Sequence, residues 1–120
     1  MIALLLMLRC GGGSEGDDTG TTVPTGGCHD APVLTWENFG QGFMLEHCQS
    51  CHATAAPYRS QTENPPPEAV TFDTHEQTTA LRTLILAVST GEAPSMPPRG
   101  GVSPIDIDKL DIWLNCGEGK

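Results

Sequence analysis

The sequence predicts an all-α chain of about three main helices joined by long irregular loops, with an apolar interior too thin to fold around side chains alone. Three observations predict it. Three segments repeat apolar residues at the 3.6-residue period. Each of them begins with a capping signal, and nowhere do apolar and polar residues alternate as they do in a strand. The 120 residues leave room for one domain plus an appendage, with 38% hydrophobic residues set against 14 Gly and 10 Pro. A domain that small is usually stapled by a covalent or metal link.

The first helix is predicted from Thr35, a good N-cap, through WENFGQGFMLEH toward Cys48. Trp36, Phe39 and Phe43 share one face. Gly40 and Gly42 each weaken this helix by about 1 kcal/mol relative to Ala, and a glycine inside a helix usually permits close packing. The second helix starts at Asp73 or Thr74, where Thr74 and Gln77 make a capping box, and carries the stripe Leu81, Leu84, Ile85 and Val88. Gly91 stands where its C-terminus is expected. The third helix takes Ser103 as N-cap, Pro104 at its first position, and Asp106 and Asp108 near its positive end. Ile107, Leu110 and Leu114 line one face with Trp113 beside them, and Asn115-Cys116-Gly117 ends it. From Ala53 to Phe72 the chain, with Pro57 and Pro65-Pro66-Pro67, reads as a structureless loop. A loop that long in a small domain is expected to wrap something.

The formal charge is −9, and the basic residues Arg9, Arg59, Arg82, Arg99, Lys109 and Lys120 are scattered. Phosphate contact needs clustered Lys and Arg, so nucleic-acid binding is excluded as a simple function. An acidic surface serves solubility and, equally, docking to a basic partner surface.

Met1 to Leu8 form an apolar run too short to span a bilayer as a helix. The run resembles the apolar part of an export signal, although no basic residue precedes it. Cys10 and the Gly- and Thr-rich stretch after it make the N-terminus similar to a bacterial lipoprotein precursor. In that family the signal is cut before a cysteine that is then lipidated. Arg9 departs from the pattern, since a small residue normally stands there, and an ordinary thiol at Cys10 is the alternative. The expected organisation is a signal at 1–9, a linker at 10–27 that cannot order itself, and a folded domain at 28–120. The expected location is outside the cytoplasm, either periplasmic or membrane-anchored.

The residues that bear chemistry are Cys48-Gln49-Ser50-Cys51-His52. A C-x-x-C-H string is the attachment signal for c-type haem. Two thiols three apart at a helix end add to the two vinyl groups on one porphyrin edge, and the next histidine lies under the iron. Structural zinc and thiol–disulfide exchange also use CxxC pairs. Zinc would need a second ligand pair, for which only Cys28-His29 and Cys116 remain, and the redox motif needs a βαβ context.

With these residues the chain resembles the small class I cytochrome c family over most of residues 35 to 117. The resemblance implies the class I fold, with one covalent haem c held by Cys48, Cys51 and His52. It also implies that Gly40, Phe43 and Met44 pack the first helix against Trp113 and Leu114 of the last. Met96, in Ser95-Met96-Pro97-Pro98, falls where the family places the second axial ligand, so the iron ligands implied are His52 and Met96. His75, His29 and His47 are the alternatives to Met96. His75 is expected to cap or decorate the second helix, His47 to face solvent, and Met44 to pack on the haem. Tyr58, Arg59 and Arg99 lie where haem propionates could be reached, and surface placement is equally open for each. In an oxidising compartment Cys28 and Cys116 form a candidate disulfide; two free thiols are the alternative.

The function implied is single-electron transfer between redox partner proteins, without catalysis, because both axial positions are filled. Two other functions stay open. One is the haem subunit of a larger oxidoreductase, and the other is a haem-based sensor or ligand-binding module.

Overall fold

The computed structural model describes residues 27–117. The predicted signal at 1–9, the lipidation candidate Cys10 and nearly all of the linker lie outside the described residues.

Thr35 caps the first helical segment. Its backbone is extended, its hydroxyl accepts from Asn38 N at 3.1 Å, and Asn38 Oδ1 accepts from Thr35 N at 2.7 Å. The first turn, Trp36–Gly40, is wound as a π-helix, with Gly40 N–H donating to Thr35 O at 3.0 Å. It runs straight into α1, Gln41–His47. The chain bends at Cys48 (φ −122°) and makes one further turn, α2, Gln49–His52. A short helix α3, Tyr58–Gln61, follows. The second long segment is two helices, α4 (His75–Ala80) and α5 (Arg82–Ser89), broken at Leu81. The predicted Thr74–Gln77 capping box is present, and Gly91 takes the left-handed conformation (φ 85°) just beyond the end of α5. Ser103 caps α6, Pro104–Cys116, from outside the helix, and Pro104 needs no N–H there. A 3₁₀ turn, Gly27–Asp30, precedes them all. Among the described residues there is no strand, and no helix is long and apolar enough to cross a membrane.

The core is Phe43, Met44, Phe72, Ile85, Leu110, Trp113 and Leu114. Full burial of Met44, Leu110 and Leu114 contributes about 1.5–3 kcal/mol each. Its centre is the crossing of the first helical segment with α6. The Trp113 indole lies on the backbone of Gly40, where an added Cβ would sit 2.6 Å from Cη2 and 2.8 Å from Cε2. Trp36 and Phe39 flank that indole, with ring centroids 6.1 and 6.2 Å away. The predicted shared face of Trp36, Phe39 and Phe43 is therefore real. At the base of the crossing Cys28 and Cys116 are joined as a disulfide, with Cα atoms 5.1 Å apart across 88 residues. Closing so long a loop contributes about 4–5 kcal/mol in the chain-entropy account.

Several expectations are corrected. The segment 53–72 is not structureless, because it holds α3. Leu84, predicted on the buried stripe, is 44% exposed, and Leu86 packs on the core instead. The segment read as one continuous helix is broken at Leu81, but Leu84 and the buried Ile85 lie together in α5, so the exposure of Leu84 is not a consequence of that break. His47 does not face solvent; its ring lies 4.8 Å from that of Phe43. Met44, expected against a haem, is fully enclosed by protein side chains. No neighbour lies near Gly42, so of the two glycines in this helix Gly40 alone serves close packing.

Gly40→Ala therefore destabilises the fold by about 1–3 kcal/mol, the cost of overpacking a filled site. Gly42→Ala leaves stability unchanged or raises it by up to about 1 kcal/mol. Denaturant unfolding of the two variants checks the contrast.

Asp111 is buried on α6 and accepts from Asn115 Nδ2 at 2.8 Å. Burial pushes its carboxyl pKa up, Asp108 adds to the rise, and the Asn115 bond only partly offsets it. A folded-state pKa raised above the unfolded one favours folding below the unfolded pKa, and the advantage is lost as pH rises through the folded pKa. Asp111→Asn keeps the acceptor oxygen and removes the charge. It stabilises the protein at neutral pH, and the gain shrinks as pH falls through the carboxylate range. A denaturation series over about pH 3 to 7 checks this, since a constant gain would show that the charge is not responsible.

Candidate functional site

The end of α1 and the single turn of α2 assemble the site. Cys48 N–H donates to Met44 O at 3.0 Å, closing α1. Cys51 and His52 N–H then donate to Cys48 O at 3.2 and 2.9 Å. One turn thus carries both thiols three residues apart, with the imidazole next to the second. Both thiols are unbridged and partly buried. Burial pushes the Cys48 thiol up to about 12, and the neighbouring Cys51 adds to the rise.

His52 is half-buried, with its ring 5.0 Å from that of Phe72. Its Nδ1 lies 3.1 Å from the Val70 carbonyl oxygen. A carbonyl only accepts, so this hydrogen bond puts the ring proton on Nδ1 and leaves the lone pair on Nε2. That is the tautomer and anchoring found for histidines that ligate metals.

The long loop wraps this turn. Phe72 N–H donates to His52 O at 3.3 Å, and Gln49 Nε2 donates to Phe72 O at 2.8 Å. Thr54 Oγ1 donates to Asp73 Oδ2 at 2.6 Å, and Thr54 N–H reaches both carboxylate oxygens at 3.1 Å. These Thr54 bonds hold the Asp73 carboxyl below its ordinary pKa. Arg59 sits between loop and turn, and its guanidinium donates to the carbonyls of Ala53, Pro66, Pro67, His52 and Val70. It thus fastens the loop to the turn, which plain surface placement does not describe.

Met96 lies on the irregular segment between α5 and α6, its side chain 38% exposed. Ser95 and Met96 N–H both donate to Val88 O at 2.8 Å, which ties the segment to α5. The alternative histidines have other surroundings. The His75 ring stacks on Trp36 at 5.3 Å and on Trp113 at 6.2 Å, so it packs in the aromatic cluster rather than decorating its helix. His29 is exposed beside Asp30 at the 3₁₀ turn.

The structure therefore gathers Cys48, Cys51 and His52 on one turn, joins Cys28 to Cys116, and carries Met96 on a separate segment. Sequence reasoning missed the Val70 carbonyl and the Arg59 clamp. Neither had a motif to reveal it, since a backbone acceptor is the same at every residue. Among the described residues no group of three or more His, Cys, Asp or Glu side chains is arranged to hold a metal ion. No family model, curated protein or solved structure matches the chain.

Proposed function

We propose that this chain is a mono-haem c-type cytochrome of the class I fold that carries single electrons between redox partners outside the cytoplasm. One observation carries the reading. A single turn presents two unbridged thiols and an imidazole whose Nδ1 proton is committed to a backbone carbonyl, while the other two described cysteines are bridged.

The donor set fits a covalently held haem. Cys48 and Cys51 would hold the haem through thioethers, each S–H adding across a vinyl group so that no oxidant is consumed. His52, through Nε2, and Met96, through its thioether, would hold the iron. Leu84 and Val88 share a side of α5, and Met96 is tied to Val88. Leu84 at 44% and Met96 at 38% exposure leave apolar surface there for a flat apolar ring to cover. When bound, haem supplies a one-electron couple at its iron. Val70 fixes the His52 ring, Met96 as a ligand would favour the reduced state, and two protein ligands together would disfavour small-molecule chemistry. The charge of −9 suits brief docking on a basic partner surface. Lipidation of Cys10, with the linker, would hold the carrier at a membrane.

Exposure of Met96 favours a second reading, a haem-based ligand-binding module or the haem subunit of a larger oxidoreductase. An axial ligand on an irregular, part-exposed segment is one that can leave. Carbon monoxide binding by the reduced protein without denaturant would select this reading.

The exported protein is expected to give a pyridine haemochrome spectrum of thioether-bound haem and a mass equal to polypeptide plus one haem. A colourless product with the bare polypeptide mass would overturn the proposal. The same mass spectrum reports any acyl chain at Cys10.

Met96→Ala is expected to retain the bound haem, lose the weak methionine–iron charge-transfer band and lower the midpoint potential. A band unchanged in that variant would remove Met96 as a ligand.

A further inference from the structure

The most heavily bonded side chain beside the motif is a cation with no part in holding the cofactor directly. Arg59 Nη2 donates to Val70 O at 2.8 Å and to His52 O at 3.4 Å, and Nε donates to Ala53 O at 2.9 Å. Nη1 reaches Pro66 O at 3.2 Å and Pro67 O at 3.3 Å. One planar group thus spans the end of the motif turn, at residues 52 and 53, and the returning loop, at 66, 67 and 70. The Val70 oxygen receiving its shortest bond is the one that accepts from His52 Nδ1 at 3.1 Å. A carbonyl oxygen has two lone pairs, so it accepts from both donors at once.

We propose that Arg59 is the positioning residue for His52, holding the Val70 carbonyl in place so that the imidazole keeps its proton on Nδ1 and its lone pair on Nε2. The inference rests on the reading of His52 as an iron ligand, but the tautomer it predicts belongs to the chain itself. The chemistry favours arginine. Its fork carries five N–H donors and a charge that persists at any physiological pH, whereas lysine offers one ammonium that cannot reach both sides of the gap. A neutral imidazole in water favours the Nε2–H form, so the Nδ1–H form requires a fixed acceptor. Val70 is that acceptor, and the loop bearing it is fastened to the motif turn by Arg59. Outer-shell partners of ligating histidines have large effects for this reason.

The test is ¹⁵N NMR of the His52 ring in the full exported chain, for wild type, Arg59→Gln, Arg59→Lys and Thr54→Val. In the haem-loaded protein, Nδ1–H exchange with solvent is expected to be roughly tenfold faster or more in both Arg59 variants. It should be unchanged in Thr54→Val, which loosens the Thr54–Asp73 tie without touching Val70. If the chain emerges without haem, which would sink the cytochrome reading, the same spectrum reads the tautomer directly. Wild type should then be the Nδ1–H form and the Arg59 variants should move toward Nε2–H. The core of Phe43, Met44, Leu110, Trp113 and Leu114 is built without Arg59, so the variants retain a fold to measure. Wild-type behaviour in Arg59→Gln overturns the proposal. Restoration by Arg59→Lys overturns it too, because charge alone would then suffice. The same change in Thr54→Val also overturns it, because general loosening would be the cause.

Discussion

Trp113 resting on the bare backbone of Gly40 sets where the rest of the molecule lies. The indole is fully buried, and its Nε1 has no hydrogen-bond partner. Leaving a buried donor unpaired costs about 1–3 kcal/mol. The large apolar contact area of an indole offsets that cost only while the helices stay close. Any side chain at residue 40 would push them apart. Cys28–Cys116 closes the same crossing covalently at the other end of α6 from Ser103. From Gly40 the chain runs eight residues to Cys48, roughly 12 Å along a helical path. The crossing therefore fixes the point in space at which the thiols and the imidazole appear.

Beyond that point Phe72 and Val70 still pack on the core, and backbone carbonyls carry most of what fastens the loop to the motif turn. The loop after the motif contains Pro65, Pro66 and Pro67, three residues with no N–H to donate. Their oxygens still require partners wherever they are withdrawn from water. A guanidinium is well matched to such a stretch, because it brings five donors and needs no acceptor of its own satisfied. Arg59 serves Pro66 and Pro67 and ties them to the carbonyls of His52 and Ala53. The proline run and the arginine six residues before it are therefore complementary halves of one arrangement. It keeps an irregular loop against the motif without the help of a sheet or a long helix.

This division explains what could be read from the sequence. Thr35, Thr74 and Ser103 announce helix starts because capping is local, and the structure has all three caps. Gly40, and the pairing of Cys28 with Cys116, were legible because few alternatives fit those residue types. Leu84 misled because an apolar period marks a helix face without fixing how far the core covers it, and in α5 the core takes Ile85 and Leu86 and leaves Leu84 exposed. His47 misled because its inward contact is with Phe43 one turn earlier, a pairing that either face could have offered. The donors of the site were visible as CxxCH, but their support was not. Val70 acts through its oxygen, and no substitution pattern or period marks an oxygen as used.

The two pairs of described cysteines meet different fates, and their placement explains why. Cys28 and Cys116 come from opposite ends of the domain and gain loop-closure stabilisation by joining. Cys48 and Cys51 are only three residues apart, at the start and within the single turn of α2, so bridging them would close a very short loop and yield little of that stabilisation. A compartment oxidising enough to keep the first pair bridged also threatens a vicinal dithiol left bare. Thioether formation, as the proposed function has it, would remove both thiols from that chemistry and leave His52 beside the new attachment. The haem reading thus accounts for an unbridged CxxC in a chain that bridges its other described cysteines.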